Sequence, residues 1–313
     1  MISSSTVAWV AILLVSLGAM IAASRMAVEH AQALVFGTRM PPFLVGVTFL
    51  AVGTDLPEIA NSITASFAGH GDVNVGDSIG STATQATLVL GLLPWLGGAM
   101  DATRKRVLLA CGLCIIALAA GGWFVADGFL SRTDAAFLVM GWVLGSVIMW
   151  RWSGPSAEPA LPVSPLRPAR HAVMLLLALS GLAAAAVFSV LAFVKIADQI
   201  GVPEYLLTFF VSSLGTSLPE LLVDVGALRR GLKDLALGDV LGSSFVDATL
   251  SIGIGPLLAP TLVDGSLGLR GALTTMGALA CVGLILALRK SHDRLSGSLL
   301  IGVYAGVYLV LLR

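Results

Sequence analysis

Long apolar runs separated by short polar breaks set the rhythm of this chain. They lie near residues 7–24, 42–68, 74–97, 106–126 and 134–150, then near 171–194, 203–228, 235–259, 270–288 and 295–312. A bilayer core about 30 Å thick needs roughly 20 apolar residues in a helix rising about 1.5 Å each, so every run predicts one spanning helix. The expected fold is an all-α membrane protein of ten transmembrane helices, five on each side of a break. Residues 1–152 form the first set and 171–313 the second. Between them, 153–170 carries Pro155, Pro159, Pro162, Pro165 and Pro168, a density that predicts irregular or extended backbone. The opening Met-Ile-Ser-Ser-Ser-Thr lacks the positive flank of a cleaved leader, so the first run reads as a span.

Composition agrees with the pattern. With 57% hydrophobic and 12% charged residues, there is too little polar surface to cover a soluble domain. The formal net charge is zero, which offers no basic surface to nucleic acid, and the bilayer is the expected surrounding. Cys111, Cys114 and Cys281 all fall in apolar segments, where they read as small packing residues rather than a redox or metal pair. His30, His70, His171 and His292 lie near span ends and read as surface residues.

Charge also orients the spans. Threading them alternately puts Arg25, Arg39, Arg104, Lys105, Arg106, Arg151, Arg167, Arg170, Arg229, Arg230, Lys233, Arg289, Lys290 and Arg294 on one side. The other side receives only Arg132, Lys195, Arg270 and Arg313. The basic side is cytoplasmic by the positive-inside rule, which leaves both termini outside the cytoplasmic membrane.

The two halves share a sequence. At an offset of 162, Gly53-Thr54-Asp55-Leu56-Pro57-Glu58 aligns with Gly215-Thr216-Ser217-Leu218-Pro219-Glu220. The match continues at Gly76/Gly238, Asp77/Asp239, Gly80/Gly242, Ser81/Ser243, Ala86/Ala248, Thr87/Thr249, Gly91/Gly253 and Pro94/Pro256. Five spans is an odd number, so the second copy enters the membrane upside down, the inverted-repeat plan of secondary transporters.

Each repeat places acids in oil. Such a residue costs roughly 2.5–3.5 kcal/mol on insertion scales. No Lys or Arg occurs in 40–103, 196–228 or 234–269, the stretches that hold Asp55, Glu58, Asp77, Glu220, Asp224, Asp239 and Asp247. Protons or bound metal cations must then supply the neutralising charge. Pro57 and Pro219 cannot donate amide hydrogens, which predicts loosened carbonyls at Gly53 and Gly215 beside Thr54 and Thr216. Ser81 and Gln85 share a helix face, as do Ser243 and Asp247, so each pair presents oxygens to one place. Inversion brings Glu58, Glu220, Ser81, Ser243, Gln85 and Asp247 towards a common centre. An all-oxygen cage suits calcium or sodium and fits poorly with zinc or copper. Gly76, Gly80, Gly238 and Gly242 would let helices approach closely around it.

Gly-Thr-Asp-Leu-Pro-Glu with Gly-Asp-Ser-Ile-Gly-Ser, and Gly-Thr-Ser-Leu-Pro-Glu with Gly-Asp-Val-Leu-Gly-Ser, resemble the two alpha repeats of the calcium/cation antiporter superfamily. The branch they are most similar to is the prokaryotic sodium/calcium exchangers. That resemblance implies that Glu58 and Glu220 are paired central carboxylates shared by calcium and sodium. It implies that Thr54, Thr216, Ser217, Ser81, Ser243 and Asp247 complete the ion sites, and that spans 1 and 6 slide across the rest. The transported ions are then the bound species, with no cofactor.

Several positions depart from that pattern. Asp55 stands where the family usually has Ser, Gln85 where it has Asn, and Asp77 and Asp239 where Gly-Asn is usual. A carboxylate at Asp55 favours a more highly charged ion or a retained proton. Proton coupling is therefore an alternative, although the Gly-Asn-Ala-Ala/Val-Glu motif of proton-coupled relatives is absent. Potassium dependence is another, since potassium-dependent relatives share an acid at the Asp247 position. Asp77 and Asp239 read either as N-terminal helix caps or as residues at an ion entrance. Asp224, one turn beyond Glu220, reads as a solvated residue at the mouth, with a place along the ion path as the alternative. Outside this class, Gly76-Asp77 and Gly238-Asp239 faintly resemble the signature of intramembrane aspartyl proteases, which would leave Glu58, Glu220 and both prolines unexplained. A channel is a third reading, against which the closed central cage argues.

Overall fold

The computed structural model describes residues 4–35, 42–101, 103–152, 168–289 and 291–313. The first half holds α1 (Ser4–Val35), the bent pair α2 (Phe43–Thr54) and α3 (Leu56–Ala68), α4 (Gly71–Gly97), α5 (Arg104–Val125) and α6 (Arg132–Trp152). The second holds α7 (Pro168–Ile200), α8 (Glu204–Arg229), α9 (Lys233–Leu258), α10 (Gly265–Ala287) and α11 (Arg294–Leu311). Among the described residues, nine helices are long and apolar enough to cross a membrane, and the α2/α3 pair makes a tenth. The ten expected spans are thus all present as helix. The proline-rich linker at 153–167 lies outside the described residues, as do Arg39, Arg167 and Lys290 of the charge count. One boundary needs correction: residues 168–170 are already helical. Pro168 opens the helix without cost, because an amide hydrogen at that position would have no intrahelical partner.

α4 and α9 form the centre, with 78% and 89% of their span residues buried against 28% or fewer in the outlying α6 and α11. Close backbone approach makes this possible. A methyl group added at Gly76 would strike the carbonyl of Tyr205, and one at Gly238 would strike that of Phe43. Gly80 meets Phe209 in the same way that Gly242 meets Val47. These contacts come in pairs separated by 162 residues: α4 packs on the start of α8, and α9 on the start of α2. Where the pairs meet, the Thr82 hydroxyl donates to the carbonyl of Ser244, its own counterpart, at 3.4 Å. Four π-helical turns fall at matching places, Gly46–Leu50 with Thr208–Ser212 at an offset of 162, and Thr84–Val89 with Asp247–Ser251, which ends at the same offset but starts one residue later. Such turns interrupt the regular ladder and often mark functional positions.

α1 and α7 pair at the edge of the bundle, where Val190 and Val194 of α7 also pack on Ala65 of α3 and Val73 of α4. They run antiparallel and share an apolar cluster of their own, built from Leu13, Leu17, Met20, Leu182, Ala186 and Phe193. Thr6 donates to Gln199 at 2.6 Å near one end, and the Nδ1 atoms of His30 and His171 lie 3.0 Å apart near the other. Loops join the halves at two further places. Phe129–Leu130 (β1) pairs antiparallel with Thr261–Leu262 (β2), and Met100 bridges to His292. His292 is therefore not the surface residue expected. Its ring is fully buried, with Nε2 2.8 Å from the Leu90 carbonyl and Nδ1 2.8 Å from the Ser296 hydroxyl. Burial holds its pKa below the usual value, and a neutral ring with hydrogen on Nε2 satisfies both contacts.

Candidate cation-binding site

The site begins at two helix breaks. Asp55 (φ −77°, ψ 8°) separates α2 from α3 with a 45° bend, and Ser217 (φ −81°, ψ 4°) interrupts α8 at the corresponding place. Pro57 and Pro219 then fall in the first turn of the following segment, where a missing amide hydrogen costs least. The oxygens on display belong to side chains. Glu58 and Glu220 occupy those same first turns, where free amide groups and the helix dipole favour negative charge.

Four carboxylates converge there. Oxygens of Asp55, Glu58 and Asp247 all lie within 4.8 Å of one another, and the carboxyl group of Glu220 adjoins that of Asp55. All are buried to within 1% of completely. Ser81 donates to Glu58 Oε1 at 3.2 Å, and the Gln85 amide donates to Asp55 Oδ1 at 3.2 Å. No hydrogen-bond donor meets Asp55 Oδ2, Glu58 Oε2, or either oxygen of Glu220 and Asp247. Hydroxyl pairs cross between the halves: Thr54 and Ser243 are 3.2 Å apart, and Thr216 and Ser81 are 3.4 Å apart. The Ser217 hydroxyl and Gln85 Oε1 are buried and likewise without a partner. A hard cation finds carboxylate, hydroxyl and amide oxygens here, with no soft donor among them.

The structure therefore gathers Glu58, Asp55, Asp247, Gln85, Ser81 and Thr216 through direct contacts, with Glu220 against Asp55 and Thr54 against Ser243. Asp55, which departs from the family pattern, stands at the junction. Asp77 and Asp239 do not cap helices: His70 and Leu232 take those positions, and each aspartate is buried further along its helix. Asp77 accepts from the Asn61 amide at 2.9 Å and from the Thr216 hydroxyl at 3.4 Å. Sequence reasoning overlooked Asn61, whose signal was its place one turn after Glu58 on the same helix. Asp239 instead adjoins Asp224. Because Asp77 and Asp239 have different partners, they do not form the dyad that a protease needs. Asp224 is also not a solvated mouth residue; it is fully buried.

Helices of this length, packed around buried acids that no basic side chain answers, define a membrane protein with a candidate cation site at its centre. Comparison with known proteins makes this specific. The family model for "Sodium/calcium exchanger protein" matches twice, over residues 8–151 and 170–313, so the chain belongs to the sodium/calcium exchanger family, a family of antiporters. It is 30% identical over 296 residues to "Putative antiporter CaxA" of Alkalimonas amylolytica, covering 89% of this chain and 91% of that one. It is 24% identical over 292 residues to the sodium/calcium exchanger MaX1 of Methanosarcina acetivorans, covering 80% and 83%. The solved structure of the sodium-calcium exchanger NCX_Mj soaked with 10 mM Na+ and zero Ca2+ superposes with a TM-score of 0.64 at 26% identity, covering 97% of this chain and 99% of that one.

Proposed function

We propose that this antiporter exchanges calcium for sodium across the cytoplasmic membrane, with Glu58, Glu220, Asp55 and Asp247 as the shared cation ligands. Thr54, Thr216, Ser81, Ser217, Ser243 and Gln85 complete the coordination. The observation that carries this reading is the convergence of four buried carboxylates with six oxygens lacking any donor, in stretches free of Lys and Arg. Both ions need the same oxygens, so loading one set displaces the other. A change of open side is cheap only when the cage is neutralised.

The two halves are read as inverted repeats, which the 162-residue pairing of contacts and the double match of one family model support. Both termini are placed outside the cell by the positive-inside count. α1 and α7, with their separate apolar cluster, are the elements expected to slide. One observation favours a second reading. The adjoining carboxyl groups of Asp55 and Glu220 suit a shared proton, which would make hydrogen ions the coupling species. Calcium-45 uptake into proteoliposomes under imposed sodium, potassium or proton gradients separates these readings. Sodium-driven uptake is expected, and uptake driven only by a pH gradient overturns the sodium assignment.

A further inference from the structure

Asp224 and Asp239 are the buried acids that the exchange site leaves unused. Both are 0% exposed, their carboxyl groups adjoin, and none of their four oxygens meets a hydrogen-bond donor. Neighbouring cations are committed elsewhere. The Lys233 ammonium donates to the Ala99 carbonyl at 2.7 Å, and Arg106 pairs with Asp234 at 3.0 Å. Arg229 and Arg230 are exposed at the end of α8. The other half resolves the same problem differently. There Asp77 takes both of its oxygens to neutral donors, Asn61 and Thr216. The helix turn that offers an amide in one repeat offers a second carboxylate in the other.

We infer that Asp224 and Asp239 form a second cation site, specific for a divalent ion, one helical turn from the central cage towards the Arg229 end of α8. Two carboxylates match the charge of one divalent ion. Glu220 and Asp224 are four residues apart on one helix, a rise of about 6 Å. An ion held at Asp224 and Asp239 would repel one at Glu220, so filling this site promotes release from the cage, as adjacent sites do in conducting pores. Ser62 stands at the place of Asp224 in the first repeat, so the pair is a property of the second half only.

This inference rests on the calcium reading of the central cage, and the test separates the two. Calcium titrations of the purified full-length chain, with stoichiometry read by calorimetry, are expected to give two ions per chain in the wild type. Asp224→Asn/Asp239→Asn is expected to bind one. Glu58→Gln/Glu220→Gln loses exchange and retains one ion, which disappears when the two asparagine changes are added. Removing facing acids relieves repulsion, so the variants are expected to fold, as checked by their elution as a single species. Asp77→Asn is the control and binds two. A wild-type value of one, or an unchanged value in Asp224→Asn/Asp239→Asn, overturns the second site, including the case in which the pair merely shares a proton. Persisting exchange in Glu58→Gln/Glu220→Gln overturns the central site instead.

Discussion

The hydroxyl of Thr54 lies 3.2 Å from that of Ser243, although 189 residues separate them. Thr216 and Ser81, their counterparts at an offset of 162, meet at 3.4 Å. Each half thus supplies hydroxyls to the candidate site beside those of the other. Neither repeat alone brings these oxygens together, so the duplicated motif converges on one place.

Charge at Glu58 and Glu220 is expected to be indispensable. Glu58→Gln or Glu220→Gln keeps the shape of the side chain and removes one negative charge from the cage. Exchange in proteoliposomes should be abolished while the protein still purifies as a folded species. Wild-type exchange rates in either variant would place the site elsewhere.

Thr216 links Ser81 to Asp77, so its hydroxyl serves both the cage and its flank. Thr216→Val preserves volume and removes that oxygen. A hydrogen bond or neutral ligand contributes about 1 kcal/mol net, so apparent cation affinity should fall about fivefold. The concentration dependence of calcium-45 uptake measures this. An unchanged half-saturation concentration would remove Thr216 from the ligand set.

Gly238 sits against the Phe43 backbone, and Gly141 on α6 faces open space. Gly238→Ala must push apart two backbones and should cost about 1–3 kcal/mol, the usual range for overpacking. Gly141→Ala should be neutral or slightly stabilising. Thermal unfolding in detergent distinguishes them, and equal melting temperatures would contradict the close α9–α2 contact.

Asp293 caps α11 by accepting from the Ser296 amide and pairs with Arg289 at 2.6 Å. The cap, and then the guanidinium, hold its pKa down to about 2 from 3.8. A depressed carboxylate pKa contributes stability above its unfolded value, and that contribution fades as pH falls from about 4 towards 2. The protection of amides in the first turn of α11, measured relative to their intrinsic exchange rates at each pH, should fall across that window. Asp293→Asn should flatten the response, and an identical pH profile in the variant would rule out the cap as its source.

Much of this was legible in the chain because a bilayer imposes simple rules. Apolar runs of the right length had to be spans, and acids without basic neighbours had to gather around something positive. The duplicated motif pointed to Glu58, Glu220, Ser81, Ser243 and their neighbours. Less visible were features that depend on packing depth. His292 lies near a span end, yet the Met100 bridge carries it inside. Asp224 looks like a mouth residue from its distance along α8, yet α9 covers it completely. Asn61 lies one turn after Glu58 on the same helix, yet only the approach of α3 to α4 puts its amide on Asp77.

By itself the sequence determined the spans, the family and the repeat, since hydrophobic length and local motif are properties of consecutive residues. Tertiary structure decided which acids face one another: Asp55 with Glu58, Asp247 and Glu220 in the cage, and Asp224 with Asp239 beside it. The physical reason is that electrostatic neighbours are set by glycine-permitted helix contacts between distant segments, and spacing along one chain does not encode distance across two.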